Sequence, residues 1–209
     1  MSPCAIVVFS KAPIPGFCKT RLIAVLGDTG AACLAERLLE ASVEQACAAA
    51  IGPVELCCTP DSTHQAFARM AQRHRLALTQ QGEGDLGARM ARAFARALET
   101  YQRVLLMGTD APALDAAYLR EASEALRKHE AVFGPATDGG YTLVGLRRLI
   151  PELFSDMPWS TPEVMQLTRD RLARLRIAHL ELGPLPDVDN AADLQHVPAQ
   201  WLSPNAHPS

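Results

Sequence analysis

Three cations crowd one short stretch of the chain: Lys11, Lys19 and Arg21, within Lys11-Ala12-Pro13-Ile14-Pro15-Gly16-Phe17-Cys18-Lys19-Thr20-Arg21-Leu22. Pro13 and Pro15 stiffen the stretch, and Gly16 allows a positive φ or a close backbone approach. Fixed cations and backbone N–H groups of this kind suit the phosphates of a nucleotide and can neutralise a departing phosphate group. Lys19-Thr20 is not a Walker-type phosphate loop, because that motif needs glycine where Cys18 stands. A polar surface loop with solvated lysines is the plainer alternative. Carboxylates supply the complementary chemistry. Asp110, in Gly108-Thr109-Asp110-Ala111-Pro112, follows the strongest strand pattern of the chain, residues 103–108. There it can hold Mg²⁺ or Mn²⁺ between protein and phosphate oxygens, or it can make an Asx turn or cap the following helix.

Further along, Asp138 precedes Gly139-Gly140-Tyr141 between two apolar runs. This is a hairpin signal, and also a place where a carboxylate can accept from a hydroxyl while bare backbone admits a sugar or phosphate. Asp187, Asp189 and Asp193 precede a short helix. Asp189 or Asn190 can cap it, or Asp189 can be a second metal ligand opposite Asp110. Trp159 is placed to line an acceptor pocket, and Thr161-Pro162 is a cap followed by proline at the first helical position. No Ser-His-Asp arrangement is evident. His64, His74, His129, His179, His196 and His207 are scattered over helical or tail positions and are expected at the surface.

These residues need a scaffold, and the pattern supplies one. Apolar runs at 4–9, 54–58, 76–79, 103–108, 131–134, 141–145 and 176–182 read as strands. Between them lie helical patterns at 29–50, 62–74, from Asp85 onward, 115–128, 146–154 and 161–175. In the third of these, Leu86, Met90, Phe94 and Leu98 form a core-facing stripe that leaves Arg92, Arg96 and Arg103 to solvent. Continuous apolar strands alternating with helices predict an α/β fold, a three-layer α/β/α sandwich around a mostly parallel sheet. Ligands of such sheets bind beyond the carboxyl ends of the strands. Residues 1–198 read as one domain and 199–209 as a flexible tail.

Composition removes several function classes. The 209 residues carry 20 Lys+Arg against 23 Asp+Glu, a formal charge of −3, which argues against nucleic-acid and membrane-surface partners. No apolar run approaches a membrane span, and no leader segment is evident at the N-terminus. The six cysteines lie within the first 58 residues without zinc spacing and read as free thiols of a cytoplasmic protein. Of the basic residues only Lys11, Lys19 and Lys128 are lysines.

Six motifs in order carry a resemblance. They are K-A-P-x-P-G-x-x-K-T-R-L at 11–22, G-D-L-G-x-R-M at 84–90, G-T-D-x-P at 108–112, G-P-A-x-D-G-G-Y at 134–141, W-S-T at 159–161 and D-V-D-x-x-x-D-L at 187–194. From residue 5 to about 195 the chain resembles the bacterial DUF2064 proteins, which are glycosyltransferase-A-like (GT-A) members of the nucleotide-diphospho-sugar transferase superfamily. The resemblance implies a GT-A fold, a nucleotide or nucleotide-sugar, a small-molecule acceptor and Mg²⁺ or Mn²⁺. By position it makes Asp110 and Asp189 metal ligands and Asp110, Asp138 and Lys19 the catalytic set. Lys11, Pro15, Gly16, Lys19 and Arg21 would meet the phosphates, and Asp85 and Arg89 the nucleoside. Gly139, Gly140, Tyr141 and Trp159 would face the acceptor or sugar. Glycosyl transfer is the implied reaction. The single Asp of T-D-A in place of a D-x-D, with the cationic first loop, keeps nucleotidyl transfer with pyrophosphate release as the alternative, beside a non-catalytic nucleotide-binding module. A homo-oligomer is compatible with each.

Overall fold

The computed structural model describes residues 2–202. Seven strands form one sheet: β1 (Ala5–Lys11), β2 (Val54–Thr59), β3 (Ala77–Gln80), β4 (Val104–Met107), β5 (Ala131–Pro135), β6 (Tyr141–Leu146) and β7 (His179–Glu181). Their spatial order is β3-β2-β1-β4-β6-β5-β7. Only β6 runs against its neighbours, pairing antiparallel with β4 and β5, so the sheet is mostly parallel as expected. Five helices cover it: α1 (Ile23–Ala49), α2 (Gln65–His74), α3 (Leu86–Leu98), α4 (Ala116–Ala125) and α5 (Val164–Leu175).

The continuous apolar strands follow from burial on both faces. Along β1, Ile6 and Val8 face a core completed by Leu39 and Val43 of α1, Phe67 of α2 and Leu119 of α4. Val7 points the other way, with Phe133 and Val144, toward Met90 and Phe94 of α3 and Leu172 of α5. The layers are therefore α/β/α. From β1 the chain winds outward through β2 and β3, then returns to place β4 on the other side of β1. The pair β1/β4 is the point where the winding reverses, and a crevice opens at its carboxyl ends. Lys11 and Asp110 stand at that edge, one at the end of β1 and one just past β4.

A third, smaller core lies beside this edge. Leu22, Leu34 and Leu38 pack against Val188 and Val197, with Trp201 partly buried alongside. Two 3₁₀ turns, Ala191–His196 and Ala199–Leu202, carry the C-terminal residues of this cluster, and Arg37 of α1 donates to the carbonyls of Gln200 and Trp201. The expected tail thus begins with a packed turn at 199–202, while 203–209 lie outside the described residues.

Several local expectations fail for physical reasons. The helix expected over 146–154 is one 3₁₀ turn, Pro151–Leu153, because Leu146 still belongs to β6 and Pro151 has no N–H to continue a helix. Helix α5 starts at Val164 with Glu163 at its cap position. Thr161 does not cap it, since its hydroxyl donates to the carbonyl of Pro158 at 2.8 Å. Leu86 leaves the predicted stripe: in the first turn of α3 it is 40% exposed, whereas Met90 and Phe94 are buried. Arg103 is buried rather than solvated, its guanidinium donating to the Ser123 carbonyl at 2.9 Å under the N-terminal edge of the sheet. Satisfied donors make that burial tolerable.

Candidate functional site

Lys11 ends β1, and the chain turns tightly. Phe17 and Cys18 both donate backbone N–H to the Ile14 carbonyl, and Gly16 takes φ of 79° at the tip. The turn delivers Lys19, itself left-handed at φ 46°, to the start of the 3₁₀ turn Thr20–Leu22 that opens α1. Leu22 is fully buried and fixes the exit. The second wall comes from β4. Strand pairing stops at Met107, and Asp110 projects from the loop with its side chain half exposed. Its backbone carbonyl accepts from Val188 N–H at 2.8 Å, which pins the segment 187–189 beside it. Val188 points into the third core, so its neighbours Asp187 and Asp189 point the other way, toward the crevice.

The two carboxylates share a cation. Lys19 Nζ lies 2.6 Å from Asp110 Oδ1 and 3.5 Å from Asp189 Oδ1, and it donates to the Val188 carbonyl at 2.6 Å. Arg21 reaches the other oxygen of Asp189 at 3.4 Å. The alternative capping roles belong to neighbours. Asp115 caps α4 by accepting from Tyr118 N–H, and Asn190 with Asp193 forms a capping box on the turn after Asp189. Asp110 and Asp189 are left facing the cleft.

That cleft has a volume of about 600 Å³. Lys11, Lys19, Arg21, Asp110 and Asp189 line it, and so does Arg89 of α3. Asp138, Gly140, Tyr141 and Trp159 line it as well. Pro15, Gly16, Asp85 and Gly139 shape the surroundings instead. Gly16 turns the loop, and Asp85 caps α3 by accepting from Ala88 N–H at 2.8 Å. The Gly139 carbonyl accepts from Met165 N–H in α5. Asp138 both builds the hairpin turn, accepting from Gly140 N–H at 2.8 Å, and faces the cleft. No histidine of the described residues lines it.

Two further residues, Asp187 and Gln81, have places at the site that the sequence does not assign. Asp187 stands with Asp138 and Asp189, their nearest carboxylate oxygens all within 4.8 Å of one another. Burial, and then the nearby Asp138 carboxylate, push its carboxyl up to about 6. The alternation Asp-Val-Asp around one buried valine is the signal that points to it. Buried Gln81 bridges the ends of β1 and β2, its amide donating to the Ser10 and Cys57 carbonyls at 3.1 Å each. Nothing in the sequence marks that role. The grouped donors Asp138, Asp187 and Asp189, like Asp110 beside them in the cleft, are carboxylates, a hard set that suits Mg²⁺ or Mn²⁺ rather than a soft ion. The Lys19 ammonium shows that Asp110 and Asp189 are close enough to share one cation.

In the same cleft the Trp159 indole meets Tyr141 edge to face at 6.2 Å, and its Nε1 is buried without a hydrogen-bond partner among the described residues. Burial also pushes the Tyr141 hydroxyl well above its ordinary value. Asp85 separates structural from ligand-binding roles. Asp85→Ala is expected to cost about 1 kcal/mol of stability through the lost cap, read as a lowered denaturation midpoint. A larger loss in nucleotide affinity than in stability would place its carboxylate on a ligand.

The fold and this crevice define a class, the α/β proteins that bind ligands at a reversal of strand order. Within it the chain belongs to the family described as an uncharacterized protein conserved in bacteria, DUF2064, whose model matches residues 42–161. No curated protein matches the sequence. A candidate nucleotide-diphospho-sugar transferase of known structure from Desulfovibrio desulfuricans G20 is 32% identical, with a TM-score of 0.84 over 93% of this chain and 85% of that one. Two more distant structures share the fold. Glucosyl-3-phosphoglycerate synthase from Mycobacterium tuberculosis, solved with Mn²⁺, uridine diphosphate and glucosyl-3-phosphoglycerate, gives a TM-score of 0.57 at 10% identity, covering 93% of this chain and 75% of that one. The 4-diphosphocytidyl-2C-methyl-D-erythritol synthase of Anaerococcus prevotii DSM 20548 gives 0.58 at 12% identity, covering 92% and 95%. No helix of the described residues is long and apolar enough to cross a membrane.

Proposed function

We propose that this chain is a metal-dependent glycosyltransferase that moves a sugar from a nucleotide-diphospho-sugar to a small-molecule acceptor. The observation that carries the reading is the crevice at β1/β4, where Lys11, Lys19 and Arg21 line one cleft together with Asp110 and Asp189, and Lys19 and Arg21 pair with those carboxylates. The 32% identity to a candidate nucleotide-diphospho-sugar transferase supports it. Asp110 and Asp189 would hold Mg²⁺ or Mn²⁺, and the carboxylate oxygens of Asp187 and Asp138 lie within 4.8 Å of that of Asp189. When bound, the ion supplies charge stabilisation for the departing diphosphate.

The chain's own residues do the rest. Lys11, Lys19 and Arg21 neutralise the diphosphate, and Arg89 meets the nucleoside. Tyr141 and Trp159 give the sugar or acceptor an apolar wall that limits water. Asp138, held by Gly140 N–H, accepts the proton of the acceptor hydroxyl as its oxygen bonds to the anomeric carbon. The bond from that carbon to the phosphate oxygen breaks, and its electron pair leaves with the nucleoside diphosphate. Product analysis tests the reading. With Mn²⁺, a panel of nucleotide-sugars and acceptor hydroxyls is expected to yield a nucleoside diphosphate and no pyrophosphate. Release of pyrophosphate from a nucleoside triphosphate and a sugar phosphate would assign nucleotidyl transfer instead.

A further inference from the structure

Lys19 stands where two roles collide. The cationic loop places it for phosphate, yet its ammonium sits 2.6 Å from Asp110 and 3.5 Å from Asp189, the pair assigned above to the metal. Its side chain is only 8% exposed, whereas Asp110 is 51% and Asp189 41% exposed. The ammonium is thus the innermost member of the group. A third contact, donation to the Val188 carbonyl at 2.6 Å, ties it to the segment that carries Asp189. Lys19 has a left-handed backbone, rare for a residue with a Cβ, and its stem is nearly buried.

A divalent ion and an ammonium compete for the same two carboxylates, because like charges a few ångströms apart repel even at the intermediate effective dielectric of a half-exposed site. We propose that Lys19 is a resident counter-ion that exchanges with the divalent cation: it holds Asp110 and Asp189 together in the metal-free protein, and metal entry releases it toward the phosphates. The inference rests on the metal reading of Asp110 and Asp189. The flexible four-carbon stem of lysine suits such a swing, whereas a guanidinium would stay forked on the carboxylates. Metal then prepares the phosphate site by freeing a cation for it. By linkage, nucleotide that captures the ammonium must favour metal by the same factor.

The scarcity of lysine makes the test clean. The chain has three, and Lys11 and Lys128 are exposed internal references. Amine acylation followed by peptide mass mapping is expected to label Lys19 slowly in the metal-free protein relative to these two. Saturating Mn²⁺ without nucleotide is expected to raise Lys19 labelling severalfold and leave Lys128 unchanged. In parallel, Lys19→Met is expected to bind Mn²⁺ alone about tenfold more tightly than wild type, if the lysine-out state is about a tenth of the population. Lys19 labelling that Mn²⁺ does not move would overturn the exchange, and this arm needs no variant to fold. A Lys19→Met protein that folds and binds Mn²⁺ no better than wild type, or not at all, would overturn it equally. Failure of the metal reading looks different: Mn²⁺ binding in the presence of nucleotide would survive Asp110→Asn.

Discussion

Asp110→Asn is expected to weaken Mn²⁺-dependent nucleotide binding roughly a hundredfold while leaving the melting temperature within a few degrees of wild type. The amide removes the negative charge, and with it most of the attraction for a divalent ion. It keeps an oxygen at the position that faces Lys19, so the near-buried ammonium retains an acceptor beside the Val188 carbonyl. The side chain is half exposed and caps no helix, which is why the fold should tolerate the change. Calorimetry with a nucleotide, with and without Mn²⁺, measures it. Unchanged metal-dependent affinity would confine Asp110 to its ion pair with Lys19.

The second large effect comes from a residue that touches no phosphate. A Cβ added at Gly87, in the first turn of α3, would lie 2.1 Å from the Phe154 carbonyl oxygen and 2.9 Å from the Trp159 indole. The helix and the Trp159 loop can pack this closely only because Gly87 has no side chain. Gly87→Ala is therefore expected to destabilise the protein by about 3 kcal/mol through forced overpacking. Alanine's better helix propensity would offset only about 1 kcal/mol of the clash. The indole must move, so in a Trp201→Phe background the fluorescence of Trp159 should shift. A variant as stable as wild type with unshifted emission would show that the loop yields without disturbing the cleft.

The sequence makes the scaffold legible because both sheet faces are covered. Apolar runs such as Val104–Met107 can then be only core strands, and the helices between them divide over the two faces, α1, α2 and α4 on one and α3 and α5 on the other. Residues that depend on distant partners are harder to see. Arg103 looks like a solvated helix-end arginine until Ser123 and Ser2 are brought against it. Leu86 keeps helical spacing with Met90 and Phe94, but the first turn of α3 overhangs the cleft. At the site, Lys11, Lys19 and Asp110 are visible because each follows a strand. The pairing of Lys19 with Asp110 and Asp189 is not, since it is set by the docking of the 187–189 segment, which no local pattern specifies. Asp138 was ambiguous for a different reason, because one carboxylate both closes the hairpin and faces the crevice.

That docking has a consequence for how the protein comes into being. Lys19 and Asp189 are 170 residues apart, while β1, β2 and β3 are joined by neighbouring crossovers. Closing so long a loop is entropically late, and distant pairings form after local ones have cleared the way. The sheet can condense around β1 before the C-terminal turns settle on α1 and bring in the last carboxylate. Ligand capture should then lag behind burial of the core during refolding, so that binding reports completion of the molecule rather than its collapse.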